Sequence, residues 1–380
     1  MSLSLELLGS AHDVAASEWD SLRRSNYPFL RHDFIAGLED TRCTTAESGW
    51  TPLHLCLRDA GRIAAILPAW LKIHSYGEYV FDWSWADAWQ RTGLSYYPKL
   101  LTAIPFTPAT GPRLLHDPAW DEGQLWRRFA DLVPEVATEL KLSSWHVLFP
   151  EAPVTRVLES AGLHTRRQVQ FHWHNQDYGD FDAFLDRFAS RKRKALRRER
   201  RRVEEQGLTL SMRPGSELSE QDWQRFHRFY QMTYAKRSGH GGYLTREFFL
   251  DVLPKLGDQV LLALAEARDE AVAGALYFRD DDTLYGRYWG CLREYDCLHF
   301  ETCYYQGIDY CIRNGLKRFD PGAQGEHKIQ RGFEPVITES CHWIAQPELN
   351  AAVGNFARQE QQHIAAYQDE ARSLLPFKRG

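Results

Sequence analysis

The sequence predicts an α/β chain of the α+β kind, built as two domains that each carry a mixed, mostly antiparallel sheet flanked by helices. Three observations predict it: apolar or alternating runs joined by very short polar turns, capped helical stretches between them, and the recurrence of one order of elements in both halves of the 380 residues. With 43% hydrophobic and 26% charged residues the composition is that of folded globular domains, and the length suits two or three of them.

The second half is the clearer copy. Residues 208–213 read as a strand, 219–237 as a helix capped by Ser219 with Asp222 three residues on, and 245–256 as a helix capped by Thr245. The period then changes to that of strands over 260–267, 272–278 and 284–291, separated by Arg268-Asp269-Glu270 and Asp280-Asp281-Asp282. Turns this short join only antiparallel neighbours. Asp296 then caps a helix whose apolar stripe is Phe300, Cys303, Tyr304, Gly307, Ile308 and Cys311, stopped by Asn314-Gly315. Strands at 316–319 and 336–343 and a helix over 347–375 complete this half.

The first half repeats the order more loosely. A strand at 3–8, helices at 14–24 and 32–38, a hairpin of 53–58 with 63–72 around Asp59-Ala60-Gly61, and a strand at 96–104 precede a helix over 120–140. A strand at 145–149, stopped by Pro150, and a helix and strand running to 173 follow. Domains are therefore expected at 1–175 and 207–345, with a junction helix at 176–206 and a C-terminal helix at 346–380.

The junction is the most unusual stretch. Between Arg187 and Arg202, ten of sixteen residues are Arg or Lys and only Glu199 opposes them, so the strip carries +9 while the whole chain carries −5. Everything else thus sums to −14, and a polyanion is drawn to this one strip. Phe181, Phe184, Leu185, Phe188, Ala195, Leu196 and Val203 keep helical spacing beneath the cations, with Gly207 as the stop. A solvated helix whose cationic stems cover apolar neighbours is the alternative, although such helices usually mix signs.

Other classes are disfavoured. No run of eighteen apolar residues exists and residues 1–10 lack the basic start of an export signal, so a cytoplasmic protein without a membrane span is expected. The seven cysteines form no CxxC, and no His, Cys, Asp or Glu cluster has ligand spacing, so neither a disulfide framework nor a metal is expected.

The element order resembles the GNAT acyltransferase fold, and two such domains with a basic helix at their junction are similar to the Fem aminoacyltransferases. The segments at 76–89, 96–101, 105–113, Leu298-His-Phe-Glu-Thr-Cys-Tyr-Tyr305 and Phe319-Asp-Pro-Gly-Ala-Gln-Gly-Glu-His-Lys328 resemble the bacterial FemAB-like group of N-acyltransferases in peptidoglycan biosynthesis or recognition. The resemblance implies transfer of an acyl or aminoacyl group to an amine, that of a cell-wall precursor or another small amine. It also implies tRNA or a nucleotide-linked small molecule, not DNA, as the anionic partner of the basic helix, with no permanently bound cofactor. The donor is then aminoacyl-tRNA or acyl-CoA. The long helical arm of some Fem proteins has no counterpart here. A GNAT enzyme cradles the coenzyme A pyrophosphate in a Gly-rich loop at a helix start, whereas here that loop is Gly290-Cys-Leu-Arg-Glu-Tyr-Asp296, with one Gly and two carboxylates, and its first-half counterpart at 105–113 is rich in prolines that lack donors. Aminoacyl-tRNA is the favoured donor; an acyl-CoA N-acetyltransferase and a non-catalytic RNA-binding or precursor-recognition protein are the alternatives.

Acyl transfer to an amine needs a neutral amine and a stabilised oxyanion. In a GNAT-like sheet the cleft opens where two central strands diverge, here at Tyr288-Trp289-Gly290 and Phe319-Asp320. Asp320 is the first candidate for a base or acceptor-orienting carboxylate, with His299 and Glu301 as competitors; Asp320 also reads as a turn former before Pro321-Gly322, and His299 as a first-turn partner. Gln324, His327, Lys328 and Arg331 on the glycine-bearing loop, and Tyr288 at the strand end, are candidates for contacting a phosphate or carbonyl oxygen. Arg191, Lys194 and Arg198 are candidates for the anion. Asp82 and Asp87 among Trp83, Trp85 and Trp89 suit an amine-bearing acceptor through charge and ring faces, although an aromatic packing patch fits the same residues.

Overall fold

The computed structural model describes residues 3–268, 270–323 and 325–378. In chain order the first half runs β1 (Leu3–Leu8), α1 (Ala16–Ser21), α2 (His32–Asp40), β2 (Trp50–Pro52), β3 (His54–Asp59), β4 (Arg62–Leu67), β5 (Trp70–Lys72), α3 (Trp83–Arg91), β6 (Lys99–Thr102), β7 (Leu115–His116), α4 (Glu122–Leu140), β8 (Ser144–Leu148), α5 (Ala152–Ser160) and β9 (His164–His174). The rest is α6 (Phe181–Asp186), α7 (Ser190–Glu205), β10 (Leu208–Pro214), α8 (Glu220–Ser238), β11 (Val260–Ala267), β12 (Glu270–Arg279), β13 (Thr283–Cys291), α9 (Leu298–Phe300), α10 (Gln306–Arg313), β14 (Arg318–Asp320), β15 (Glu334–Ile344) and α11 (Pro347–Ser373). The chain divides into two compact units, Met1–Val169 with Ile337–Tyr367, and Gln170–Val336 with Gln368–Gly380. The basic segment thus lies inside the second unit, and the C-terminal helix is divided between both.

In the first unit, β1-β3-β4-β7 is wholly antiparallel, while β2-β5-β6-β8-β15 contains one parallel pair, β6 with β8. The hairpin expected around Asp59-Ala60-Gly61 forms, with Asp59 opposite Arg62 and both central residues at positive φ. The run expected as one strand over 63–72 is two, since Pro68 interrupts it and β4 and β5 join different sheets. Trp126, Phe129 and Val133 keep the spacing of one face of α4 and bury it against Leu55, Leu57, Trp145 and Val147.

The second unit holds β10-β11-β12-β13-β14-β9, antiparallel except for β13 with β14. Ser219 and Asp222 form the expected capping box of α8. This helix lies so close to β13 that a Cβ on Gly290 would stand 2.1 Å from the Phe229 carbonyl oxygen, so only glycine permits the approach.

Three helices differ from expectation. The helix expected across 181–206 breaks after Asp186, because Phe188 turns inward to bridge Phe377 and the Ala189 N–H donates to the Pro376 carbonyl. The one at 245–256 is a π turn, Phe248–Val252, followed by a 3-10 turn, Leu253–Gln259, since Pro254 supplies no N–H and Gly257 reverses the chain at φ 57°. The third, after β13, starts from Cys297 at φ 62° instead of from Asp296, and widens to a π turn over Glu301–Tyr305 between α9 and α10. Among the described residues no helix is long and apolar enough to cross a membrane.

Candidate active site

The strip of positive charge resolves into two kinds of cation. Arg193 pairs with Asp186 at 2.7 Å, Arg197 with Asp182 at 2.8 Å and Arg202 with Asp296 at 3.1 Å, while Lys192 bonds Gln330 and Arg187 bonds Gln176. Arg200 reaches inward and grips Glu301 through Nε and Nη2. Arg191, Lys194, Arg198 and Arg201 remain, exposed and without an ion pair or hydrogen bond among the described residues. Their spacing of three, four and three residues sets them on one stripe of α7, about 15 Å long at 1.5 Å per residue. Leu196 and Val203 hold the opposite face in the core. Arg198 and Arg201 also line a cleft of about 600 Å³ that reaches Asp296 and Cys297.

The strands β13 and β14 are paired only from Thr283 to Tyr285 against Arg318 to Asp320. Beyond that, the chain after β14 turns through Pro321-Gly322, which still lie against Gly286 of β13, and Lys328 closes this turn by donating to the carbonyls of Gly322 at 2.6 Å and Pro321 at 3.4 Å. Burial brings the Lys328 ammonium down to about 8, with Arg287 adding to it and Asp320 opposing. His327 Nε2 meets the Tyr304 hydroxyl at 2.8 Å. Burial, then Lys328 and Arg331, lowers His327 to about 4, and burial, then His327 and Arg237, lowers His299 to about 3. Both imidazoles are neutral at pH 7. The His299 ring stands 5.5 Å from that of Tyr304, 6.1 Å from His327 and 5.4 Å from Trp289.

Of the expected residues, the fold therefore gathers His299, His327 and Lys328 around Tyr304, with Asp320 beneath. Asp320 is only 2% exposed; it accepts from the Gly322 N–H at 2.9 Å and faces His172 at 3.5 Å, which burial, opposed by Asp320, lowers to about 4. That is the turn-forming role, with Oδ1 engaged by the turn N–H and facing His172. Glu301 is likewise enclosed, held by Arg200 and by Gln306 at 2.8 Å, so it anchors α7 and is not placed as a base. Arg331 spans Glu199 at 3.0 Å, the His327 carbonyl at 2.8 Å and the Phe300 ring at 3.4 Å, a bracing position. Tyr288 packs edge-on to Tyr230. Gln324 lies outside the described residues.

Tyr304, Arg237 and His172 were missed. Tyr304 read as one more member of an apolar stripe, and only the π turn separates its hydroxyl from that role by adding a residue to the turn. The sequence signal available was the pairing of a tyrosine with the HxxxxY spacing from His299.

In the first unit the expected amine cage does not assemble. Helix α3 turns Trp85 and Trp89 into a core with Tyr96 and Leu349, leaving Trp83 and Asp87 on the outside. Asp82 instead receives Lys99 and the Tyr96 hydroxyl, each at 2.5 Å; burial pushes its carboxyl up, but the Lys99 ammonium prevails and brings it to about 2. Lys99 also binds Glu78 at 2.8 Å and Ser75 at 2.9 Å, and Tyr96 continues the network to His146 at 3.1 Å. Of the two expected carboxylates only Asp82 meets a cation, and that cation is the protein's own Lys99, shared with Glu78.

The FemAB-like family, described as peptidoglycan biosynthesis/recognition, matches residues 10–379. The chain belongs to this FemAB-like family. No curated protein matches it. Among solved structures, FemX shares 11% identity, with 90% of this FemAB-like chain and 98% of that chain covered and a TM-score of 0.53. The C-terminal domain of a putative lysylphosphatidylglycerol synthetase from Agrobacterium fabrum shares 9% over 91% and 95%, also at 0.53. A tandem GNAT protein from the clavulanic acid biosynthesis pathway shares 11% over 91% and 99% at a TM-score of 0.43. At such identities the likeness is one of fold, and the expected tandem GNAT-like α/β architecture is the one observed.

Proposed function

We propose that this protein transfers an aminoacyl group from aminoacyl-tRNA to an amine, with the reacting groups in the second unit at Lys328, Tyr304 and His327. The observation that carries the reading is the stripe of four unpartnered cations on α7, in the same unit as a strand pair whose ladder ends beside a buried lysine. A stripe about 15 Å long suits a chain of phosphates better than one pyrophosphate. The coenzyme A alternative loses support from the loop before α9, where Gln206 already occupies the Asp296 N–H at 3.0 Å and Arg202 and Lys236 hold the two loop carboxylates in place.

In the proposed step the amine nitrogen attacks the ester carbonyl carbon, a C–N bond forms, and the ester C–O bond breaks. Lys328 has spent two of its three donors on carbonyls, and the third is the donor for the tetrahedral oxyanion. Tyr304, oriented by His327, accepts the proton leaving the amine as it passes its own proton to the departing ribose oxygen, so charge balances.

Purified protein incubated separately with charged tRNA and with acyl-CoA, each with a panel of amines, tests the reading. Amide formation from charged tRNA is expected. Transfer from acyl-CoA alone, or neither transfer nor binding with either donor, overturns it.

A further inference from the structure

A second cleft, of about 460 Å³, lies between the last turns of α8 and the end of β13. Its wall combines Met232, Trp289 and Leu292 with Lys236, Arg237 and Glu294. The charges are not equivalent. Lys236 is tied to Glu294, and each neutralises the other. Arg293, at the rim, bonds the Tyr295 hydroxyl and stacks 4.9 Å from its ring. Arg237 has neither an ion pair nor a hydrogen bond among the described residues, so it is the one guanidinium of the cleft with its whole fork open, while Arg293 keeps its charge without a carboxylate. Met232 and Leu292, 40% and 38% exposed, flank it with apolar surface.

The cleft adjoins the reacting groups. Trp289 belongs to its wall and stands edge-on to His299 at 5.4 Å. The Arg237 charge is felt at His299, Tyr304 and His327. Gly290 fixes this proximity, because it alone lets β13 approach Phe229 of α8.

We propose that this cleft is the acceptor subsite and that Arg237 binds a carboxylate carried by the amine substrate, an inference that rests on the aminoacyl-transfer reading given above. The acceptor is then a small amino acid or short peptide: its carboxylate lies on the guanidinium fork, its apolar part on Trp289, Met232 and Leu292, and its amine toward His299. An open guanidinium fork matches a carboxylate, which accepts two parallel N–H bonds from arginine. A phosphate dianion would need both Arg237 and Arg293, whose Nε is held by the Tyr295 hydroxyl, and is the competing outcome of the test.

Calorimetric titration of the full chain with L-alanyl-L-lysine, with its C-terminal amide and with phosphoethanolamine tests this without any donor. The acid is expected to bind at least tenfold more tightly than the amide, and Arg237→Gln to reduce that preference to twofold or less. Lys236→Gln with Glu294→Gln is expected to change the acid's affinity by less than threefold. Equal binding of acid and amide, no binding of the dipeptide, or a preference that survives in Arg237→Gln overturns the proposal. So does tighter, Arg237-dependent binding of phosphoethanolamine, which would assign the cleft to a phosphate headgroup. Arg237 is exposed, and an unchanged thermal melt of Arg237→Gln, with Arg237→Lys as a second variant, separates lost binding from lost fold. Because binding is read apart from transfer, failure of the aminoacyl reaction and failure of the subsite give different results.

Discussion

Lys328 illustrates how burial turns an ordinary side chain into a candidate for chemistry. Its ammonium is 1% exposed, satisfied by two backbone carbonyls and brought down to about 8, close enough to working pH to titrate. If its third donor serves the oxyanion, the protonated form is the active one and is present below about 8. The transfer rate should therefore fall as pH rises through about 8, and Lys328→Ala, which also takes the donor from two turn carbonyls and lowers the melt, should lower kcat by roughly 10²–10³-fold at a temperature where the variant is folded. A pH–rate profile of wild type, with the variant's kcat beside it, checks both; a rate still rising above pH 9 would discard the ammonium role. The residue type at 328 was legible as a polar head on a glycine-bearing loop. That its nitrogen points back at the turn, and that Asp320 serves the turn too, follows from side-chain directions that no spacing rule specifies.

At the scale of the element, α7 was readable in charge and apolar period but not in its division of labour. Five of the ten cations are tied to a carboxylate or amide on neighbouring segments and a sixth, Arg200, is drawn to the buried Glu301, because those partners come from residues as far as 138 positions away. Replacing Arg191, Lys194 and Arg198 together by Ala should reduce the logarithmic salt slope of tRNA binding by about 2–3, as expected for about 0.7–0.9 per phosphate contact. The same replacement at Lys192, Arg193 and Arg197 should change it by less than about 1. Filter binding over a series of salt concentrations separates the two sets. The segment at 76–89 taught the opposite lesson: its carboxylates and tryptophans were noticed as a site, yet helix α3 and β6 make it a structural clasp around Lys99. Lys99→Met leaves Glu78 and Asp82 buried without their cation and should destabilise the first unit by about 3–5 kcal/mol in urea unfolding.

For the whole molecule, the pH dependence of stability should carry the marks of several buried groups of the first unit. Burial raises Glu78 from 4.5 to about 7, with Lys99 opposing, so the folded state binds more protons between those values and stability declines as pH climbs through that window. Burial lowers Lys72 from 10.5 to about 7, with Glu78 opposing, so the unfolded state binds more protons above 7 and stability recovers toward pH 10. Burial also lowers His146 from 6.5 to about 3 and His342 well below 6.5, so both gain stability as pH rises to 6.5 and oppose the Glu78 limb; thermal melts across pH 5–9 should therefore show Glu78→Gln gaining stability relative to wild type as pH rises from 5 to 7. By itself the sequence determined the class of fold, the repeated order of elements, the basic strip and the resemblance that the family match bears out, because periodicity, caps, turns and charge are properties of neighbours along the chain. Only the tertiary structure decided which cations stay free, which carboxylates are consumed by buried partners, and that a π turn sets Tyr304 beside His327. Those outcomes depend on groups far apart in sequence competing for the same hydrogen bonds and the same shelter from water, and such competition is settled only when the chain has folded.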